Sequence, residues 1–161
     1  MDMGAGFQGL KRFISKEAAL LYTPVDVEER IPGSGTILCN LNLFEIPFFL
    51  NEKVAAFAFL GSFEYMLDKI SVLRLCSLHA PAHVVTHYQV GTSRTKQTFQ
   101  WVAPLNINSL KETADIVGYD LHLYDGANSK HGYIEEELSL EEAHAICDNR
   151  DCQMFLYFIP R

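Results

Sequence analysis

The sequence predicts an α+β fold. We expect a single domain over residues 1–161, with an antiparallel or mixed sheet of five to six strands and helices packed mainly on one face. Segments with alternating apolar side chains, which indicate strands, are interspersed with segments of three- and four-residue apolar spacing, which indicate helices. No repeat, low-complexity tract or charged linker divides the chain. At 161 residues and 48% hydrophobic content, it is long enough to bury one core.

The N-terminal third begins with a predicted helix and continues into a predicted strand. Residues 7–21 place apolar side chains at helical spacing, and Pro24 follows their end. Residues 25–35 are a loop with three acidic side chains. Residues 36–46 alternate apolar and polar side chains, which predicts a strand that Pro47 ends or bends at a sheet edge.

The middle of the chain is less clearly patterned. Residues 51–70 are apolar almost all round at first and amphipathic later, which predicts a buried helix. A strand within residues 57–63 is the alternative, because short apolar runs do not distinguish the two structures. Residues 71–78 are predicted to form a strand.

A β-hairpin is the clearest predicted element. Residues 82–90 and 95–103 have apolar side chains at alternate positions, and a loop at 91–94 gives the register that places both apolar sets on one face. The opposite face then carries His83 and His87, and we expect it to contact solvent or a binding partner.

Two capping boxes, each a serine followed three residues later by a glutamate, predict two helices in the C-terminal third, starting at Ser109 and Ser139. Gly118 ends the first of these helices. Residues 119–124 alternate as a strand, and residues 153–159 are apolar on both faces, as in a central strand. If these two strands are parallel, 119–159 is a βαβ unit with a right-handed crossover.

Three histidines spaced four residues apart raise the question of a metal site. His79, His83 and His87 would lie on one face of a helix, but Pro81 and the β-branched residues that follow oppose a helix. In a strand, His83 and His87 lie about 13 Å apart, which is too far for direct ligation of one ion. We therefore predict no metal site here.

The cysteines are predicted to be structural. Cys39 and Cys76 lie in apolar runs, and Cys147 and Cys152 lack the spacing of a zinc knuckle. A disulfide between Cys147 and Cys152 is geometrically feasible, but a reducing cytosol disfavours it. No secretory signal or membrane-length apolar stretch is found, so we expect a cytoplasmic protein that does not enter a membrane.

Two glycine-rich stretches are weak candidates for phosphate binding. Residues 4–9, GAGFQG, follow no predicted strand, and residues 32–35, PGSG, lack the lysine of a phosphate-binding loop. We therefore predict no cofactor.

Asp120 and His122 project from one face of a predicted strand, and His144 lies on a helix that can pack nearby. Such a pair can orient a general base, but no serine or cysteine lies in a nucleophile motif. We predict no catalytic residues. A small hydrolase or transferase that uses this pair is the alternative, and a small-ligand binding domain with its pocket between the sheet and residues 51–70 is another.

Charge is unevenly distributed along the chain. From residue 112 to the C-terminus, eleven acidic side chains face three basic ones, a balance of −8, whereas residues 69–111 carry +5. The net charge of −7 argues against nucleic-acid binding. The charge map predicts an acidic surface that attracts a basic protein.

We therefore expect a non-enzymatic protein-binding module, an immunity protein or inhibitor that neutralises a basic toxin or enzyme. The sequence makes no prediction of oligomeric state. The residues expected to bind the partner are the acidic side chains of the C-terminal third and the two histidines of the hairpin, namely Glu135, Glu136, Glu137, Glu141, Glu142, Asp148, Asp151, His83 and His87.

Overall fold

A computed structural model describes residues 1–43, 54–79, 82–91, 104–126, 136–149 and 152–161. Within these ranges one sheet holds eight strands: β1 (Asp2–Met3), β2 (Pro24–Asp26), β3 (Ile37–Leu38), β4 (Ala56–Leu60), β5 (His83–Gln89), β6 (Tyr119–Asp125), β7 (Glu137–Leu138) and β8 (Gln153–Pro160). The helices are α1 (Lys16–Leu20), α2 (Lys69–Ser77), α3 (Ile107–Val117) and α4 (Leu140–Asn149). The prediction of five to six strands is therefore wrong.

The strand order is β3-β2-β1-β4-β5-β8-β6-β7. The first five strands are parallel, β8 runs antiparallel to both β5 and β6, and β7 is antiparallel to β6. The possible βαβ unit at 119–159, which required these two strands to be parallel, does not form, because β6 and β8 are antiparallel. From β1 the chain adds β2 and β3 on one side of that strand, and it then returns to place β4 on the other side. The strand order therefore reverses between β1 and β4.

β8 is central, as its uniformly apolar sequence predicts. It pairs with β5 on one edge and β6 on the other, and Met154, Leu156 and Phe158 are fully buried. Burying these three side chains removes their apolar area from water at about 25 cal/mol per Å², which makes β8 a main contributor to the core, while the residues that alternate with them are only half-buried or exposed.

The predicted hairpin is wrong, although β5 itself is where the sequence places a strand. Both edges of β5 are occupied, one by β4 and the other by β8, whereas the prediction assigned one of these edges to residues 95–103. Residues 92–103 lie outside the described part of the chain. Val84, Thr86 and Tyr88 are buried, which agrees with the predicted apolar face.

Residues 54–78 differ most from the sequence prediction; residues 51–53 lie outside the described part of the chain. The alternative of a strand within 57–63 is close to the structure, because β4 precedes a sharp turn at Gly61 and a single 3-10 turn at Phe63–Tyr65. Residues 71–77 of the predicted strand 71–78 belong to helix α2 and are not extended. The Asp68 side chain accepts a hydrogen bond from the Ser71 N–H and caps α2.

The helices α2, α3 and α4 pack on one face of the sheet. His79, which follows α2, packs edge-on against Phe57 on the face that also buries Val84. α3 and α4 join α2 on this side, and His144 of α4 contacts Asn108 of α3 at 3.1 Å. On the opposite face, residues 10–22 and Val85 line a groove of about 570 Å³. No helix in the described ranges is long and apolar enough to cross a membrane.

A disulfide joins Cys147, in the last turn of α4, to Cys152, directly before β8. This corrects the expectation that a reducing environment disfavours a disulfide between these two cysteines. Cys76 is buried in the core, as predicted, whereas Cys39 is only half-buried.

Candidate functional site

A cleft of about 300 Å³ opens at the carboxyl ends of the parallel strands, where the strand order reverses. In open α/β sheets this is where ligands bind, because loops leaving adjacent strands in opposite directions create a crevice. Each wall follows one strand: Gly4 and Gly6 follow β1, Asp26 ends β2, Cys39 to Asn42 follow β3, and Gly61, Ser62, Tyr65 and Met66 follow β4.

Two glycines shape the floor of the cleft. Gly4 has φ +77°, and a Cβ atom there would lie 2.5 Å from Cβ of Ser62. Gly6 has φ +51°, and a Cβ atom there would meet nothing within 4 Å. Gly4 thus lets the loops after β1 and β4 touch, while Gly6 leaves its backbone open to a ligand. One ground for rejecting residues 4–9 as a phosphate-binding turn, that no strand precedes them, is wrong, because β1 does precede them.

Asp26 faces this glycine turn from the end of β2. It is 8% exposed, its Oδ2 accepts the Gly6 N–H at 2.8 Å, and its Oδ1 accepts the Val27 N–H at 2.7 Å. Each carboxylate oxygen has a further lone pair. A carboxylate about 20 residues after a glycine turn, at the end of the next strand, is the arrangement that binds ribose hydroxyls.

Asn42 fixes the opposite wall. Its Nδ2 donates to the Tyr65 carbonyl at 3.0 Å, and its Oδ1 accepts the Leu67 N–H at 2.7 Å. One side chain therefore joins the loop after β3 to the loop after β4. The apolar side chains of Leu41 and Met66 line the cleft between these loops, which suits the faces of a flat ring system.

Two ionisable side chains are buried directly behind this wall. Glu64 is 9% exposed, and burial raises the pKa of its carboxyl. Lys69 is 4% exposed, and burial lowers the pKa of its ammonium group to about 8. Sequence reasoning missed both residues, because a charged residue in a mixed segment gives no sign of its burial.

The histidines predicted to lie on an open face are half-buried. His83 packs against Tyr157 with ring centroids 5.5 Å apart, and His87 packs against Phe155 at 4.9 Å. These aromatic neighbours come from β8, which occupies the edge that the sequence prediction had assigned to residues 95–103. In the part of the chain that the structure describes, no three potential ligands lie close enough to hold a metal ion.

The acidic residues of the C-terminal third that the structure describes are exposed, and these are Glu136, Glu137, Glu141, Glu142 and Asp148. Glu135 and Asp151 lie outside the described residues. Glu142 forms the predicted capping box, since its Oε2 accepts from both the backbone N–H and the hydroxyl of Ser139. The assignment of the exposed acids to a partner-binding surface stays a prediction.

Asp120 and His122 do not pair with each other. Asp120 accepts a hydrogen bond from Nε of Arg161 at 2.8 Å, and Nδ1 of His122 lies 2.8 Å from Glu137. The proposed general-base pair is therefore not assembled, and neither residue lines the cleft.

No protein-family model and no curated protein sequence matches this chain. Solved structures do resemble it. A SAM-dependent methyltransferase from Thermotoga maritima, a possible histamine N-methyltransferase, aligns over 99% of this chain and 80% of its own, with a TM-score of 0.57 and 10% identity. The CMeT domain of citrinin polyketide synthase aligns over 98% of this chain and 45% of its own, with a TM-score of 0.58 and 12% identity.

The plantazolicin methyltransferase BamL, solved with a substrate analogue and SAH, aligns over 99% of this chain and 75% of its own, with a TM-score of 0.55 and 15% identity. At these identities the likeness shows the fold alone, a Rossmann-like fold that this chain shares with the three methyltransferase structures. The expectation of a non-enzymatic immunity protein or toxin inhibitor is therefore wrong, because it rested on absent motifs and surface charge and not on the fold.

Proposed function

We propose that this chain binds S-adenosylmethionine (SAM) in the cleft at the carboxyl ends of β1 to β4 and acts in methyl transfer. The observation that carries the proposal is the glycine turn Gly4–Gly6 held against the buried carboxylate of Asp26 at the point where the strand order reverses. The resemblance to three methyltransferase structures supports it. The proposal replaces the expectation that the protein uses no cofactor.

The residues of the cleft fit a nucleoside cofactor without phosphates. Dinucleotide sites place pyrophosphate at the N-terminus of a helix that follows the glycine turn. Here the turn leads into a four-residue 3-10 segment, Gly9–Arg12, and the next helix, α1, has five residues. Arg30 lines the cleft but lies 2.9 Å from Glu28. This geometry favours SAM over a dinucleotide.

Each wall has a role in holding SAM. Asp26 would accept hydrogen bonds from the ribose hydroxyls, and the open backbone at Gly6 would allow close approach of the amino-acid portion. Leu41 and Met66 would contact the adenine faces. When bound, SAM supplies an electrophilic methyl group on a sulfonium sulfur. The protein's contribution is to orient that group and admit a nucleophile.

Calorimetric titration with S-adenosylhomocysteine (SAH) tests the proposal. Asp26→Asn removes the charge and turns one acceptor oxygen into an N–H donor, so we expect the affinity for SAH to fall roughly 10- to 100-fold, the range for a lost hydrogen bond to a charged group. Asp148→Asn, which changes an exposed carboxylate on α4, is the matched control and should bind SAH as wild type does.

A parallel titration with NAD⁺ distinguishes the two nucleotide classes. The proposal expects SAH to bind and NAD⁺ to give no saturable heat. Binding of NAD⁺ in preference to SAH would contradict it, as would equal SAH affinity in wild type and Asp26→Asn. Circular dichroism of each variant shows whether a loss of binding reflects a loss of fold.

A further inference from the structure

The two faces of the sheet differ in how far their side chains are buried. On the face that carries α2, α3 and α4, Val84, Leu156 and Phe158 are fully buried. On the other face, the side chains of β5, β8 and β6 are only partly buried. Parallel strands normally have both faces covered, so this second face calls for a covering layer.

The partly buried face is rich in aromatic side chains. The strand register places two rows across it, Val85–Tyr157–His122 and His87–Phe155–Tyr124. Within these rows the rings of His87 and Phe155 are 4.9 Å apart. Neither row contains an acid, a lysine or an arginine. Aromatic enrichment and a lack of charge are typical of the centre of a protein–protein interface.

The apolar surface continues from the sheet onto residues 10–22. In this segment Phe13 is 86% exposed, Leu20 is 86% exposed and Leu21 is 83% exposed. Leu20 and Leu21 also line the groove that extends to Val85 on β5. Single exposed apolar side chains are ordinary, whereas a continuous apolar surface of this kind marks a binding site.

The size of this face matches that of a dimer interface. The four adjacent strands β4, β5, β8 and β6 span about 19 Å, and the six residue pairs of β5 and β8 span about 20 Å. A helix adds about 10 Å of width, which gives a footprint of roughly 600 Å². Specific interfaces bury about 800 Å² of accessible surface per partner, and protruding side chains expose more surface than their footprint.

The charges at the two edges of this face have opposite sign. At the edge formed by residues 10–22, the exposed charged side chains are three basic and one acidic: Lys11, Arg12, Lys16 and Glu17. At the other edge Asp120 is paired with Arg161, and the exposed Glu136 and Glu137 are acidic. The face is therefore basic at one edge, uncharged in the middle and acidic at the other edge.

We propose that this face binds a second copy of the chain, in a dimer whose two-fold axis runs parallel to the strands between β5 and β8. Residues 10–22 border β4 on one side of this axis, while β6 and β7 lie on the other side. The rotation sets residues 10–22 of each copy over β6 and β7 of its partner. Basic edges then meet acidic edges, and the raised segment of one copy covers the open half of the other sheet.

This inference is independent of the proposed function. The cleft assigned to SAM lies at the carboxyl ends of the parallel strands, and no residue of the two rows lines it. Dimerisation is therefore measured without a cofactor, and SAH binding is measured separately.

Sedimentation velocity of wild type and Leu20→Glu tests the apolar contact. At about 100 μM, above the weakest affinity usual for an interface of this size, wild type should have twice the 18.2 kDa mass of one chain. Leu20→Glu should weaken the dimer at least about hundredfold, because each dimer loses two buried leucines and gains two charges that face acidic edges. Leu78→Glu, which changes a leucine that is 67% exposed after α2, is the matched control and should dimerise as wild type does.

A charge exchange tests whether the partner is a second copy. Lys16→Glu or Glu137→Lys alone sets like charges opposite each other, so each should weaken the dimer about tenfold. The double variant Lys16→Glu/Glu137→Lys should return to within about threefold of the wild-type affinity, because the exchanged charges attract again across the two-fold axis. Glu112→Lys on α3, on the other side of the sheet, should have no effect.

Three results would overturn the inference. The first is a wild-type protein that is monomeric at about 100 μM, which would leave this face to another segment of the chain or to a different molecule. The second is equal dimerisation of Leu20→Glu and Leu78→Glu, which would place the interface elsewhere. The third is a charge-exchanged double variant that dimerises no better than its single variants. Circular dichroism of each variant shows whether its fold is kept.

Discussion

Gly4→Ala should lower the free energy of unfolding by about 2–5 kcal/mol and abolish SAH binding. Two effects add: a non-glycine residue in the left-handed region costs about 1–2 kcal/mol, and forcing an atom into a packed site costs about 1–3 kcal/mol. Gly4 has φ +77°, and its new Cβ would lie 2.5 Å from Cβ of Ser62. Urea unfolding measures the first result, and calorimetry measures the second.

Gly9→Ala is the matched control, because a Cβ there meets nothing within 4 Å and Gly9 does not have a positive φ. It should leave stability within about 0.5 kcal/mol of wild type or raise it slightly. In the double variant Gly4→Ala/Ser62→Gly the clash is removed while the backbone strain remains, so the two changes should be less destabilising together than their sum. Additive losses would contradict the assigned contact between Gly4 and Ser62.

Replacing the buried charges with Glu64→Gln and Lys69→Met together should raise the free energy of unfolding by about 1–4 kcal/mol at neutral pH. Buried ionic groups replaced jointly by neutral ones of similar size are often stabilising by this amount, because the desolvation of charge is avoided. Glutamine keeps the hydrogen bond from the Gln89 N–H, and the methionine side chain would lie near Phe63 and Tyr88, whose ring centroids are 5.9 Å from Lys69 Nζ. Denaturant unfolding of the double variant and wild type gives the difference.

The gain should depend on pH with a definite sign. The pKa of Glu64 is raised above 4.5, so its burial destabilises the fold only above that range. The pKa of Lys69 is lowered from 10.5 to about 8, so its burial destabilises the fold below pH 8 and this effect disappears as pH rises to 10.5. The double variant's advantage should therefore peak near neutrality and shrink in acid and in alkali.

A surface pair provides the comparison for these buried charges. Lys111 and Asp115 lie 2.8 Å apart and are partly exposed, so Lys111→Met/Asp115→Asn should change stability by only about 0.5 kcal/mol. If the buried double variant is less stable than wild type at neutral pH, the account of Glu64 as a group that lowers stability is incorrect.

Local signals in the sequence predicted several elements well. The Ser139–Glu142 capping box, the end of α3 at Gly118 and the strand β8 occur where pattern and turn chemistry place them. In each case the information lies within a few residues of chain: a cap hydrogen bond, a glycine in the left-handed region, or an uninterrupted apolar run.

Non-local pairing explains the main errors. Met3 of β1 pairs with Val25 of β2, which lies 22 residues later in the chain. A strand of two residues is also too short to show an alternating pattern of its own. Because β1 is not recognisable in the sequence, nothing identifies the glycines at 4–9 as a turn that follows a strand. Nothing distinguishes Asp26 from the other acidic residues of a polar loop either. The same reasoning applies to β5, where β4 and β8 replace the local hairpin partner. Parallel strands always require such distant partners.

The helix α2 shows a different limit. Val72, Leu73 and Cys76 are buried at helical spacing, yet residues 71–78, which contain them, also match the pattern of a short apolar strand. The capping hydrogen bond to Asp68 favours the helix over the strand. In the sequence, however, one aspartate before an apolar run is a weaker signal than the strand-like composition of the run. The charge pattern led to a wrong prediction of function for another reason, because the charge distribution describes the surface of a protein and gives no information about its fold.

A crystal structure of the wild-type protein grown with saturating SAH tests the central claim most directly. The account predicts the ribose hydroxyls within hydrogen-bond distance of the Asp26 carboxylate and the ligand against the backbone of Gly4 to Gly6. SAH in the groove between residues 10–22 and Val85, or a cleft without SAH in such crystals, would contradict it.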